Sequence, residues 1–359
     1  MEEIIRVLQE LIRFKSVTGN SDEIDRCARF IGDYLDGCGI AWTLLEKNGI
    51  PSILVTPEPG RAPLLLMSHM DVVAGPEESF SPRIEGDRLY GRGSVDDKYA
   101  VAVSLVLLKE RMAALKAAGK GQESLPFGVL ITGDEESGGF DGAAYALGKV
   151  ETEFCIALDG GSPEKIVVKE KGILQLQLVT EGLSAHGARP WLGRSAIDAL
   201  VDDLVALREF FTGKSEDHWH RTLNVGIIRG GGTVNQVPDR AEAFLDIRYT
   251  EADDVDDLLH RMRERVSGRI EVRTREPLFD GGESSHLAML RRAVPGARLG
   301  AEHGGSDARF LGNFGIPGAV WGADGEMSQH SAGEYVLISS VREVFEGLDR
   351  FLSLTEKGE

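Results

Sequence analysis

The chain has 359 residues, 42% of them hydrophobic and 27% charged, enough to bury a sizeable core in one or two domains without covalent staples. Its 58 acidic residues outnumber 40 basic ones, for a net charge of -18, which excludes the basic surface that nucleic-acid binding requires. The three cysteines, Cys27, Cys38 and Cys155, have no C-x-x-C spacing and the chain has no apolar run of membrane-spanning length, so buried thiols, no membrane contact and a cytoplasmic location are expected.

The N-terminus opens with two acids and places Ile4, Ile5, Leu8, Leu11 and Ile12 at helical spacing. This predicts a helix over about 2–14 rather than a signal peptide. A polar break at Ser16–Asp22 precedes a second helix over about 22–37, which stops at Gly37-Cys38-Gly39. Short apolar runs follow: Pro63–Ser68, Pro126–Thr132, Phe154–Leu158 and Gly318–Trp321. They lack alternation, and a long helix over about 96–118 separates the first two. That pattern predicts a mostly parallel α/β sheet covered by helices on both faces.

The stretch from about 172 to 280 has another rhythm. ILQLQLV alternates strictly, as a strand with one wet face does. A helix over about 195–211, strands near 222–229 and 240–249, a helix over about 252–267 and a strand at 269–274 complete a β-α-β-β-α-β unit. The expected organisation is therefore a first domain of residues 1–170 and 282–359, interrupted by a second, ferredoxin-like α+β domain at 171–281.

Polar residues follow the buried runs. His69-Met70-Asp71 follows the first, Asp134-Glu135-Glu136 the second and Asp159-Gly160-Gly161 the third, while a loop to His330 follows the fourth. Asp96-Asp97 precedes the long helix. Seen singly, each is an ordinary turn, cap or core residue. Together they occupy the carboxyl ends of the strands, where open α/β sheets bind ligands. Carboxylates crowded there repel one another unless cations neutralise them, and mixed carboxylate and imidazole donors suit zinc, cobalt or manganese.

The blocks HMDVV, GRGSVDDK, GDEESGG, LDGG and HSAGEYV resemble, in order and spacing, the metal-site motifs of metallopeptidase family twenty. That family comprises aminoacylase, acetylornithine deacetylase, succinyl-diaminopimelate desuccinylase, glutamate carboxypeptidase and di- and tripeptidases. The resemblance spans nearly the whole chain. It implies two divalent ions, zinc first and cobalt or manganese as alternatives. His69 and Asp159 would hold one ion, Glu136 and His330 the other, and Asp96 would bridge them. Asp71 would orient the His69 ring. Glu135 would be the general base that takes a proton from a water bridging the ions and returns it to the leaving amine. Asp134 and Asp97 take no role from the resemblance and are read as loop or capping residues.

The second domain carries further matches. The segment Ser184–Pro190 resembles a lid block in which a histidine, here His186, supports the oxyanion of the partner subunit. Gly230–Pro238 and Asp246–Arg248 resemble a block that grips a substrate carboxylate, with Asn235 and Arg248 at the matching positions. Gly305 and Ser306, in a Gly-Gly-Ser-Asp loop, would add substrate contacts. A histidine shared across an interface implies a homodimer, paired through exposed strand or helix surface of the lid. Tyr99 stands where the family usually carries glycine, which predicts a narrower site.

These readings lead to a di-metal hydrolase of a small peptide or N-acyl amino acid. Aspartate at 159 inclines it to an exopeptidase (carboxypeptidase or di-/tripeptidase) over an N-acyl amino acid deacylase. A non-catalytic binding protein of the same fold is the alternative from another class. The chain has no G-x-S-x-G elbow and no dinucleotide fingerprint after Gly91-Arg92-Gly93, against a serine esterase or a nucleotide enzyme.

Overall fold

The computed structural model describes residues 1–356. The chain forms two compact units. The first comprises Met1–Lys169, Phe279–Glu302 and the chain from Ser306 onward, and the second comprises Glu170–Leu278 with His303–Gly305.

The first unit is built on a nine-stranded mixed sheet. Its centre is parallel, with Leu64–His69 between Phe127–Thr132 and Phe154–Ala157, and Gly318–Val320 beyond the latter. Antiparallel strands flank this centre: the hairpin Thr43–Lys47 and Ile50–Val55 on one side and Lys165–Glu170 on the other. The two longer central strands are buried along their whole length, which explains their unbroken apolar runs. The hairpin turns at Asn48-Gly49, both at positive φ, the requirement of a tight two-residue connection.

Helices cover both faces. Glu2–Arg13, Ser21–Cys38, Lys98–Ala117 and Ile338–Glu356 contribute to one apolar cluster, and the short helix Ala143–Ala146 with the turn Asp307–Phe314 to a smaller one. Lys98–Ala117 is the central helix, with every residue from Lys98 to Leu108 buried. Even Lys98 is inside, its Nζ donating to the Phe14 carbonyl at 2.8 Å, just past the first helix. Tyr99 corrects the expected narrowing: it lies in the core at 1% exposure, and its hydroxyl donates to the Leu158 carbonyl and accepts from the Ala323 N–H at 2.9 Å. It ties two strand ends together from beneath.

The second unit is a four-stranded antiparallel sheet in the order Thr222–Gly230, Arg240–Tyr249, Gly172–Glu181, Arg269–Glu276. This is the split β-α-β-β-α-β arrangement. Leu174, Leu176 and Leu178 point into its core, against Leu200, Leu204 and Leu207 of helix Ala196–Arg208 and Leu258, Leu259 and Met262 of helix Val255–Arg265. Gln175 and Gln177 take the opposite face, as the alternation requires. Both helices start where side chains cap them. Ser195 accepts the Asp198 N–H, and Asp254 accepts those of Asp256 and Asp257.

Candidate metal centre

His69 is the last residue of its strand, buried to 1% exposure. Its Nδ1 lies 3.0 Å from the Asp71 backbone oxygen and 3.4 Å from the Asp71 carboxylate. A carbonyl oxygen only accepts, so Nδ1 carries the hydrogen and Nε2 is the nitrogen that faces the site. Nε2 stands 3.0 Å from Asp96 Oδ1 and 3.8 Å from Asp159 Oδ2. On the other side of Asp96, His330 Nε2 stands 3.0 Å from Asp96 Oδ2 and 3.2 Å from Glu136 Oε2. Two groups of potential ligands result: His69, Asp96 and Asp159, and Asp96, Glu136 and His330, each with its donor atoms within 4.8 Å of one another. Asp96 belongs to both, with one oxygen toward each histidine.

The electrostatics of these groups fit cations. Donors about 2.0–2.1 Å from a tetrahedral zinc are roughly 3.3 Å apart, and the nitrogen-to-oxygen separations here run from 3.0 to 3.8 Å. Burial raises Asp159 well above the usual carboxylate range, and the Asp96 charge adds to it. Burial likewise raises Asp97. At His69 burial opposes the charge, yet hydrogen bonds to Asp71 and Asp96 carry the imidazole well above its ordinary value. Hydrogen bonds to Asp96 and Glu136 take His330 to about 10. Asp96, although buried, is held low by those two imidazoles. These donors stand close enough to share charge, and divalent cations bound among them would satisfy the same charges directly.

The loops that present these residues are tied to one another. The Asp71 carboxylate accepts the backbone N–H groups of Glu135 and Glu136, each at 3.1 Å, joining the loop after the first strand to the turn after the second. Glu136 Oε1 accepts the Val73 N–H at 3.2 Å. Asp134 accepts the Asp141 N–H at 2.9 Å, in keeping with a loop role. Asp97 occupies the N-cap position of the central helix, but its side chain makes no cap bond there and accepts the His69 N–H at 3.3 Å.

Glu135 lies outside both ligand groups. Burial, then the Asp307 charge, pushes its carboxyl up to about 8 against the pull of His69 and Arg309. Its Oε1 is 3.1 Å from Nη1 of Arg309, a buried arginine that sequence reasoning missed. Arg309 lies three residues past Ser306, in the turn Asp307–Phe314, and only the quoted Gly-Gly-Ser-Asp block pointed toward it. Glu334 and Arg92 were likewise quoted within motifs without a role.

In the second unit, Ala185–His186 pairs with Gln236–Val237. The Gly187 N–H donates to the Asn235 carbonyl at 2.7 Å, so His186 and Asn235 belong to adjoining segments. His186 Nδ1 accepts the Ala188 N–H at 3.0 Å, which leaves Nε2 as the nitrogen able to donate. Arg248 makes a two-point ion pair with Asp246, at 2.8 and 3.3 Å. Gly305 belongs to this unit and Ser306 to the first, where Ser306 Oγ caps the following turn by accepting the Ala308 N–H at 3.3 Å.

Comparison with known proteins adds four findings. The profile of peptidase family M20/M25/M40 matches residues 65–354. A probable carboxypeptidase of Paracoccidioides brasiliensis is 31% identical over 229 residues, 58% of this chain, and the chain spans only 50% of that relative's length. Carboxypeptidase G2 of a Pseudomonas species is 28% identical over 374 residues, covering 94% of this chain and 86% of the relative. Among solved structures, an M20 family metallo-carboxypeptidase, Sso-CP2 of Sulfolobus solfataricus, superposes with a TM-score of 0.81 at 20% identity over 99% of this chain and 100% of the other.

Proposed function

Because the chain belongs to peptidase family M20/M25/M40 and is a metallohydrolase, we propose that it is a di-metal exopeptidase, cleaving the amide bond of a small peptide that carries a free carboxylate. The observation that carries this reading is Asp96, which presents one oxygen to each histidine, while Glu135 stays outside both ligand groups. His69 and Asp159 would hold one ion, and Glu136 and His330 the other. Bound there, two divalent ions polarise the scissile carbonyl and acidify water.

The remaining work falls to side chains. Glu135 is half-buried, faces Arg309 and lies outside both ligand groups. Its carboxylate takes the proton of the attacking water and returns it to the departing amine nitrogen. Asp71 holds the Glu135 and Glu136 backbone and so keeps base and ligand in register. His186 Nε2 would donate to the developing oxyanion in the site of the partner subunit. Arg248, with its planar guanidinium, and Asn235 would hold the substrate carboxylate, and Gly305 and Ser306 would add further substrate contacts.

Homodimerisation through the second unit completes the proposal. Ile197, Val201 and Val205 make an exposed apolar stripe on helix Ala196–Arg208. Thr222–Gly230 is an edge strand that exposes Ile227 and Ile228. An edge strand beside an apolar helix stripe suits a second copy, which continues the sheet about a two-fold axis and covers the stripe. Among the described residues no helix is long and apolar enough to cross a membrane.

The deciding experiment is elemental analysis of protein purified without chelator, paired with turnover on dipeptides and on N-acetyl and N-succinyl amino acids. About two divalent ions per chain with dipeptide cleavage is expected. Cleavage of the acyl amino acids alone would make it a deacylase. No metal and no turnover after adding zinc, cobalt or manganese would leave a binding protein.

A further inference from the structure

Beneath the two ligand groups lies an ion pair that neither group contains. Arg92 and Glu334 are each 2% exposed, and Arg92 Nη1 donates to Glu334 Oε2. The other Glu334 oxygen, Oε1, accepts the backbone N–H of Val95 at 3.2 Å and of Asp96 at 3.3 Å. Arg92 Nη2 donates to the Ala74 carbonyl at 3.3 Å and to the His330 carbonyl at 3.4 Å. The Gly91 N–H donates to the Glu334 carbonyl at 3.0 Å. One buried pair therefore grips the backbone of Asp96, the backbone of His330 and the loop that follows His69 and Asp71. The space is shaped for it: a Cβ on Gly75 would stand 2.9 Å from Ser79 Oγ and 3.2 Å from Arg92 Nε.

We propose that the Arg92–Glu334 pair is a positioning device for the metal centre, which sets Asp96 and His330 at two-ion spacing before any ion binds and thereby governs the affinity of the His330-side ion. This rests on the two-ion reading above and goes beyond it by assigning roles to residues that touch neither ion nor substrate. The two candidate ion positions are asymmetric. The His69-side ion keeps two ligands from strand ends, a nearly inaccessible His69 and Asp159, which follows Phe154–Ala157. The His330-side ion depends on an imidazole 54% exposed, on a long loop between Gly318–Val320 and Tyr335–Leu337. Tyr99, Arg88 and Ser340 tie that loop at Ala323, Glu326 and Asp324, and at His330 itself the Arg92 guanidinium holds the backbone carbonyl. A buried ion pair is weak evidence for stability, since desolvation offsets its attraction, and registry is its better-attested use.

The test is stepwise zinc titration of metal-free protein by calorimetry against a competing chelator, for wild type, Glu334→Gln, and the double variant Arg92→Met with Glu334→Gln. Removing both charges avoids stranding one in the interior. Glu334→Gln keeps the volume and one acceptor, and decides the matter alone should the double variant not fold. The expected result is that the His330-side step weakens about 10- to 100-fold, the size usual for partners that orient a ligand. The His69-side step should change far less, and the melting temperature of the metal-free double variant should stay close to wild type, whereas Glu334→Gln, which leaves the Arg92 charge unpaired, is read by the ratio of the two steps alone. A merely structural pair would instead lower that temperature and weaken both steps alike, which would overturn the inference, as would two wild-type affinities in both variants. A single zinc ion in the wild type would fell the two-ion reading first, and so the two failures are told apart.

Discussion

Asp71 and Glu135 show how much at this centre depends on single residues. Asp71 was expected to orient His69, and the contact that fixes the ring is chiefly its backbone oxygen, at 3.0 Å. Its carboxylate, 3.4 Å from the same ring nitrogen, also holds the Glu135 and Glu136 N–H groups. Asp71→Ala should therefore weaken zinc binding about 10- to 100-fold, measured by chelator competition, because Glu136 loses its anchor. Wild-type affinity would show the bonds to be incidental. Glu135→Ala should retain both ions and lose about two to four decades of kcat. Loss of metal in that variant would show that Glu135 is a ligand and not a base.

The elements decide what faces what. The parallel strands end side by side, so the residues after each converge although they are far apart in the chain. The central helix starts directly after Asp97, and its packing sets the height of Asp96. Leu105→Ala on its buried face should cost about 2–5 kcal/mol, measured by chemical denaturation. Helix Ala196–Arg208 behaves differently, since one stripe of it faces solvent. Val201→Glu with Val205→Glu should yield a monomer by light scattering with the melting temperature preserved. A dimer that survives both charges would place the interface elsewhere.

For the molecule as a whole, stability should rise with metal binding. Without cations, Asp159 sits in the field of Asp96 and Asp97, and an ion that binds only the folded chain stabilises it by about 2.7 kcal/mol at 100 times its Kd. Stripping metal with a chelator should lower the melting temperature by several degrees, and zinc should restore it. A melting curve indifferent to both would speak against occupied sites.

The elements and the candidate ligands were legible because the patterns that mark them are local. Alternation in ILQLQLV, the helical spacing in MEEIIRVLQEL and the acids after apolar runs are short-range patterns imposed by burial geometry. The hairpin Thr43–Val55 was legible too, through Asn48-Gly49, and went unread. What tertiary structure alone decided are relations between distant segments. Arg309 reaches Glu135 across 174 positions, and Glu334 reaches Arg92 across 242. Tyr99 lies under the strand ends and not at the mouth of the site, because its neighbours in the helix face the core. A sequence records which side chains can carry charge, accept a proton or bind a cation. Which of them meet depends on strand order and helix packing, since these bring together residues that no local spacing relates.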